Sequence, residues 1–502
     1  MSDRDHDRDT ARDDLSVSRR GMLRGGALAA ALGIGGFSVP RRAAASHPSA
    51  AEAVNELWTT VLSNLPDNWG RWGPDDELGT LNFLDGEQAF RGLNAAMRGP
   101  KDEIQVHTLQ LSYTGDVIPT PDTGDASRVG DPVFPTRQPA RRDQVVDNRH
   151  YEEGIVDPLV GGMKFSDDAF ITRAFLQGSS QYDALAHVWY DTYKRPGMEG
   201  LADEREPLLY NGFAASTLST PHDYDFPVDG LRPVDDPEND LQGIPAGYDP
   251  FSTDLVDHPV TRTWEAGKND VNNAAEHGSV GRGVLLDVGR HADLPSDDQD
   301  RLDPGTCVTL ADLKETADAE GVTLRERDIP LIRTGSIERA RDPDAVWTTN
   351  EPGLCFSQDL VEWIHEMEFP IIAGDNLAVE KLEVWIDVDE DLNDDVRSAA
   401  SDEIDHVFDN HDDADFVDAG GRRVRITNPL HPALITNLGL PICEIFYFED
   451  LAESADEDGI YTFLYSGSPL KVIGGDGAPV NPTVVKASKK GSGGGNGNAD
   501  NG

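Results

Sequence analysis

Cysteine is almost missing from this chain: 502 residues hold three, Cys307, Cys355 and Cys443. Their wide spacing and odd number exclude a zinc knuckle and a complete disulfide framework. One disulfide stays open, and burial as small hydrophobes is the favoured expectation. Positive charge is equally short. Against 92 acidic residues stand 43 basic ones, a formal net charge of −49, and lysine is scarce beside arginine. A surface so dense in carboxylates repels nucleic acid and anionic membranes in dilute salt and keeps a protein soluble in concentrated salt. Adaptation to a salt-rich environment, not a basic partner, is the expected reason. Long apolar runs are also absent: no segment approaches the ~20 residues that a membrane-spanning helix needs. No internal repeat is visible. At 38% hydrophobic, the chain still suffices to bury at least one large core.

The N-terminus reads as an address. Ser18-Arg19-Arg20-Gly21-Met22-Leu23 is a twin-arginine pattern, followed by a Gly/Ala-rich apolar stretch from Gly25 to Val39 and by Ala43-Ala44-Ala45, a small-residue cleavage site. The expectation is a signal peptide over 1–45, one large domain with acidic insertions over 46–485, and a Gly/Asn/Ser-rich disordered tail over 486–502. Such a protein works outside the cytoplasm.

Along the chain, Ala53, Leu57, Val61 and Leu65 recur every four residues and predict an amphipathic helix from Ala50 to Leu65. The stretch from Asn68 to Asn82 is rich in turn formers and reads as a loop pinned by Trp69 and Trp72. Ile118 to Pro139 reads as a long irregular loop, and Ala169 to Leu176 as a strand leading into the small-residue turn after it. Tyr210-Asn211-Gly212 is a turn signal. The acidic, Pro-rich stretch from Asp223 to Asp254 reads as loop, and the acidic block from Asp387 to Asp418 as a solvated insertion. Buried strands are expected at Gly283–Val288, Ile329–Gly335 and Pro370–Asn376. Helices are expected after Thr309 as N-cap and from Gln358 to Met367. Strands alternating with helices imply an α/β layer.

Two stretches carry chemistry. In the first, Phe175 to Val188, a carboxylate and an imidazole, Asp183 and His187, stand four residues apart after a small-residue turn. In the second, a helix carrying His431 in its first turn breaks at Gly439 and continues as a strand ending in Glu444, so this histidine and glutamate can converge on one ion. Each has a duller explanation. Asp183 can cap a helix starting at Ala184, His187 can be a hydrogen-bonded core histidine, and His431 a first-turn residue without an ion.

The run from Gln177 to His187 resembles the HxGTHxDxxxH signature of the cyclase family of metal-dependent amidohydrolases, the group that contains bacterial kynurenine formamidases. Aligned on Asp183, the two leading histidines fall on Gln177 and Gln181 and the Gly-Thr on Ser179-Ser180, while Asp183 and His187 stand unchanged. Asn68 to Asn82 resembles the NWGRWGPxDExGTLN segment of a long-chain branch of that family. The likeness continues through GRGVLLDV, IRTG, PGL and GDNLAVE to about Leu451.

The resemblance implies a swivelling β/β/α fold, a mixed sheet with outer helices. It implies Asp183, His431 and Glu444 as metal ligands, His187 as general acid/base, and Gln177 and Gln181 touching the metal or its ligands. Glutamine is a poorer zinc ligand than imidazole, so a single divalent ion, zinc or manganese, is expected rather than a tight binuclear zinc site. The implied activity is hydrolysis of an amide, formamide or lactone in a small-molecule substrate, by an enzyme that assembles as a homo-oligomer. Formylkynurenine cleavage, a step of tryptophan catabolism, is a subcase that export argues against. A non-catalytic protein that binds metal or a small molecule on the same fold is the alternative. Asp375-Asn376 matches a family turn read as structural, and His291 is a weaker pocket candidate.

Overall fold

Val284, Leu285 and Leu286 are all fully buried, yet they face two different cores, because successive strand residues point to opposite sides. They belong to β3 (Val280–Asp287) of a nine-stranded sheet in a computed structural model that describes residues 65–97, 103–117, 131–134, 137–189, 207–234, 252, 254–387 and 423–489. The other strands are β1 (Glu103–Thr108), β2 (Gln181–Asp183), β4 (Ile329–Arg333), β5 (Ile372–Gly374), β6 (Ile442–Glu444), β7 (Thr462–Ser466), β8 (Gly477–Pro479) and β9 (Thr483–Ser488). Across the sheet they run β1-β9-β7-β3-β4-β5-β6-β2-β8. Neighbours from β3 to β6 are parallel, and the flanking pairs are antiparallel. The architecture is the mixed α/β one expected.

On one face, Val284, Leu286, Ile332, Ile372 and Ile442 meet α1 (Leu310–Ala319), α2 (Gln358–Glu366) and the helix Pro432–Leu438. On the other, Leu285, Leu331, Ala373 and Cys443 meet α3 (Glu449–Asp458) and Phe463. Each such aliphatic side chain contributes about 1.5–3 kcal/mol by leaving water. Thr309 caps α1 as the sequence suggests: its side chain accepts from the Asp312 amide while Asp312 Oδ2 accepts from the Thr309 amide at 2.7 Å.

Several expectations need correction. Ala169–Leu176 is not the strand that delivers the small-residue turn. Asp167–Phe170 pairs with Arg142–Val146 as an exposed ribbon, and the chain then runs without strand pairing to a turn closed by the Gly178 amide on the Phe175 carbonyl at 3.1 Å. Beyond Ile171 no described strand runs beside the chain for it to pair with. The Asp223–Asp254 stretch is not all loop, since Thr220–Pro233 and Leu255–Glu265 form a long antiparallel ribbon. Prolines are tolerated in it because a two-stranded ribbon is all edge. Cys307 and Cys355 form a disulfide, joining two strands that pair in parallel, Cys307–Val308 and Gly353–Leu354. Cys443 alone is the buried free cysteine. β9 continues through Lys486, buried and bonded to Asp458 Oδ2 at 2.6 Å, into the stretch read as tail. The twin-arginine segment, the Ala50 helix up to its last residue, the acidic block beyond Asp387 and the tail beyond Lys489 lie outside the described residues.

Candidate metal centre

Antiparallel pairing of β2 with β6 sets Gln181 opposite Glu444 and Asp183 opposite Ile442. Directly opposed residues share a face, so Gln181, Asp183 and Glu444 emerge on the side where Ile442 packs. There the helix Pro432–Leu438 lies, a wide π-turn helix with Pro432 at its first position and His431 just before it. Gly439 ends that helix at φ 64°, and a Cβ there would lie 2.4 Å from the Tyr210 ring, so only glycine turns the chain back into β6. The Asn68–Asn82 loop grips the same helix. Trp69 Nε1 donates to the Thr436 carbonyl at 2.7 Å, Asn68 Nδ2 to Leu438 at 2.8 Å, and the Thr80 amide to Gly439 at 2.8 Å.

These elements bring Asp183, His187, His431, Glu444, Gln177 and Gln181 together. One ligand atom from each of Asp183, His187 and His431 lies within 4.8 Å of the others. His431 Nε2 is 3.2 Å from Glu444 Oε1, and His187 Nε2 is 3.9 Å from Asp183 Oδ2. His187 keeps 21% of its side chain exposed, against 0%, 6% and 2% for Asp183, His431 and Glu444, so it is the one a small molecule reaches first. His291 is bonded to the Tyr461 hydroxyl at 3.0 Å and takes no part in this group. Asp375 is structural as expected, accepting from the amides of Thr334 and Gly335, both at 2.7 Å.

Tautomers and amide orientations follow from partners that can only accept. Gln177 Nε2 donates to Asp183 Oδ1 and lies 3.0 Å from His187 Nδ1. His187 Nδ1 is therefore an acceptor, and the neutral ring carries its proton on Nε2. In the neutral ring Nε2 is thus a hydrogen-bond donor, while the distances also allow His187 to hold a metal. His431 donates from Nδ1 to Glu380 Oε1 at 2.5 Å, so once the ring is neutral its lone pair sits on Nε2.

Burial lowers the His187 imidazole below its ordinary value; Asp183 raises it in part, and His431 and Arg137 lower it further. Burial would also lower His431, but its interactions with Glu380 and Glu444 hold it well above. Glu444 is pushed up to about 8 by burial and by the charge of Asp183.

The donor set fits a divalent cation. Glu444 Oε1 is buried beside His431 Nε2, 3.2 Å away. An imidazole lone pair and carboxylate oxygens converging on one point are the ligands that zinc or manganese takes. Two neighbours went unrecognised in the sequence. Arg137, inside the stretch read as irregular loop, donates from Nη1 to Gln181 Oε1 at 3.2 Å. Glu380, the last residue of GDNLAVE, accepts from His431 and from the amides of Leu430 and His431 at 2.7 and 3.0 Å. An acidic residue closing a matched motif was the available signal for Glu380, and no pattern pointed to Arg137.

Residues 173–381 match the model of a family described as putative cyclase. That segment contains Asp183, His187 and Glu380, while His431 and Glu444 lie beyond it. The crystal structure of a novel cyclase is similar at 24% identity with a TM-score of 0.53, over 84% of this chain and 100% of that one. This likeness shows the fold. Isatin hydrolase A from Ralstonia solanacearum aligns at 13% identity with a TM-score of 0.36, over 76% of this chain and 92% of that one. No curated protein matches the chain.

Proposed function

We propose that the protein is a metal-dependent hydrolase cleaving an amide, formamide or lactone bond in a small molecule, with one divalent ion, zinc or manganese, held by Asp183, His431 and Glu444. The observation that carries this reading is the meeting of Asp183 and His187 with His431 and Glu444 in one buried cluster, His431 Nε2 lying 3.2 Å from Glu444 Oε1. A divalent ion at these ligands supplies an acidified water and polarises a carbonyl. The chain's own residues do the rest. Gln177 fixes the His187 ring with the proton on Nε2, from which it would donate a hydrogen bond to the substrate carbonyl or leaving-group oxygen and stabilise the charge that develops there. Glu380 fixes the His431 ring.

Twin-arginine export, a salt-rich working environment and assembly of several copies complete the proposal. The Cys307–Cys355 disulfide supports an oxidising compartment, and the charge of −49 supports high salt. The decisive experiment is elemental analysis of unchelated protein together with a panel of formamides, cyclic amides and lactones, assayed with and without chelator. Stoichiometric metal and chelator-sensitive cleavage are expected. Ligand binding without turnover on any member would instead make this a binding protein.

A further inference from the structure

Arg137 is a buried cation, 6% exposed, beside the cluster just described. Its guanidinium carbon lies 4.3 Å over the Phe134 ring, and the Arg137 amide closes a turn on the Phe134 carbonyl at 3.2 Å. Among the described residues it donates one side-chain hydrogen bond, to Gln181 Oε1. The carboxylates whose charge acts on it most are Asp183 and Glu444.

This bond decides what Gln181 can be. A guanidinium only donates and a carboxylate only accepts, so the Gln181 amide has one orientation. Its oxygen faces Arg137, and its nitrogen faces Glu444 Oε2 at 2.6 Å and both Asp183 oxygens at 3.4 Å. With the oxygen committed to Arg137, Gln181 has no lone pair left in the direction of the carboxylates and cannot be a metal ligand there. Gln177 likewise turns its nitrogen to Asp183. The two glutamines are donors to the carboxylates.

Charge gives the second line. Asp183, Glu444 and Glu380 are buried carboxylates. Once His431 has lost its extra proton to the incoming ion, Arg137 and one divalent ion carry three positive charges between them, which balances these three. A second divalent ion would leave two uncompensated charges in a low-dielectric interior, which is costly.

We propose that Arg137 is the built-in second cation of this centre, a positioning residue that orients Gln181 as a donor and restricts the site to a single divalent ion. The proposal rests on the metal-hydrolase reading and specifies its metal count. Arg137 also repels the ion it accompanies, so its loss tightens metal binding, whereas a merely structural arginine would on removal loosen it.

The test is calorimetric titration of the metal-stripped full-length protein with Mn²⁺, with bound metal checked by elemental analysis after dialysis and folding by circular dichroism. Wild type is expected to take one ion per chain. Arg137→Met is expected to bind it on the order of tenfold more tightly, from relief of charge repulsion, and Arg137→Lys, which keeps the charge, to stay within about threefold of wild type. Two ions per wild-type chain, or unchanged or weaker binding by a folded Arg137→Met, would overturn the proposal. Should Arg137→Met not fold, wild type and Arg137→Lys carry the test: one ion in each supports it, and two in either overturns it. Two ions with active hydrolysis leave the hydrolase reading standing. No bound metal in wild type overturns both.

Discussion

Glu380 Oε1 sits 2.5 Å from His431 Nδ1, and the same carboxylate accepts the backbone amides of Leu430 and His431. One side chain thus sets both the tautomer of the imidazole and the entry of the helix that follows it. Carboxylates placed so behind a metal-bound imidazole typically govern 10–100-fold in affinity, by order of magnitude. Glu380→Ala is therefore expected to weaken Mn²⁺ or Zn²⁺ binding by about that factor, with Glu380→Gln intermediate, in a competition titration against a chelating dye. Unchanged affinity in folded Glu380→Ala would remove His431 from the ligand set.

His187 separates from the ligands in a second experiment. As the proposed hydrogen-bond donor to the reacting oxygen, its loss in His187→Ala should cut kcat by roughly 10²–10³ on any substrate found, with bound metal retained. Metal loss in parallel with activity would make His187 a ligand instead.

Glu320 carries a pH prediction. Burial pushes its carboxyl up to about 9, with the neighbouring charge of Asp287 adding to the rise and the Asp287 amide offsetting part of it. The unfolded chain releases this proton near the ordinary carboxylate value, so between there and pH 9 the folded state holds more protons. Stability then falls as pH rises through that window, by up to about 1.4 kcal/mol per pH unit. Glu320→Gln keeps an acceptor for the Asp287 amide and removes the titration. Urea unfolding at pH 5.5, 7 and 8.5 should give a flatter profile for the variant, and parallel profiles would refute the assignment.

The Cys307–Cys355 bridge closes 48 residues of chain. Removing a disulfide over such a loop typically costs about 2–4 kcal/mol. Cys355→Ser, or wild type under reductant, should shift the denaturation midpoint accordingly. No difference between reduced and oxidised protein would mean that the bridge is not formed in solution.

The parts of the fold legible in the sequence were those set by local pattern. The continuous apolar run at Val284–Leu286 needed only burial on both faces. Thr309 and Asp312 form a cap within four residues, and the αL glycine at Gly439 separates helix from strand by its own conformation. What stayed hidden depends on partners far along the chain. Ala169 and Phe170 pair with Asp143 and Arg142 instead of running on as a strand to Leu176, while the Thr220 ribbon exists because Leu255–Glu265 returns to pair with it. The disulfide needed the parallel pairing of Cys307–Val308 with Gly353–Leu354 to bring its sulfurs together. At the site, Asp183, His187, His431 and Glu444 were named from residue order, helped by family likeness. Arg137 reaches Gln181 from an irregular segment where no periodicity operates, and only coordinates place it.

The register of β2 against β6 has a consequence for how the protein matures. Gln181 and Glu444 are 263 positions apart yet directly opposed, and a slip of one residue would turn Tyr182 and Cys443 toward the ligand side. A half-synthesised chain lacks one of these two strands, so under the proposed function capture of the ion waits until β6 has joined the sheet. Under the proposed function, an export route that accepts folded cargo would let the choice of metal be made in the compartment of synthesis.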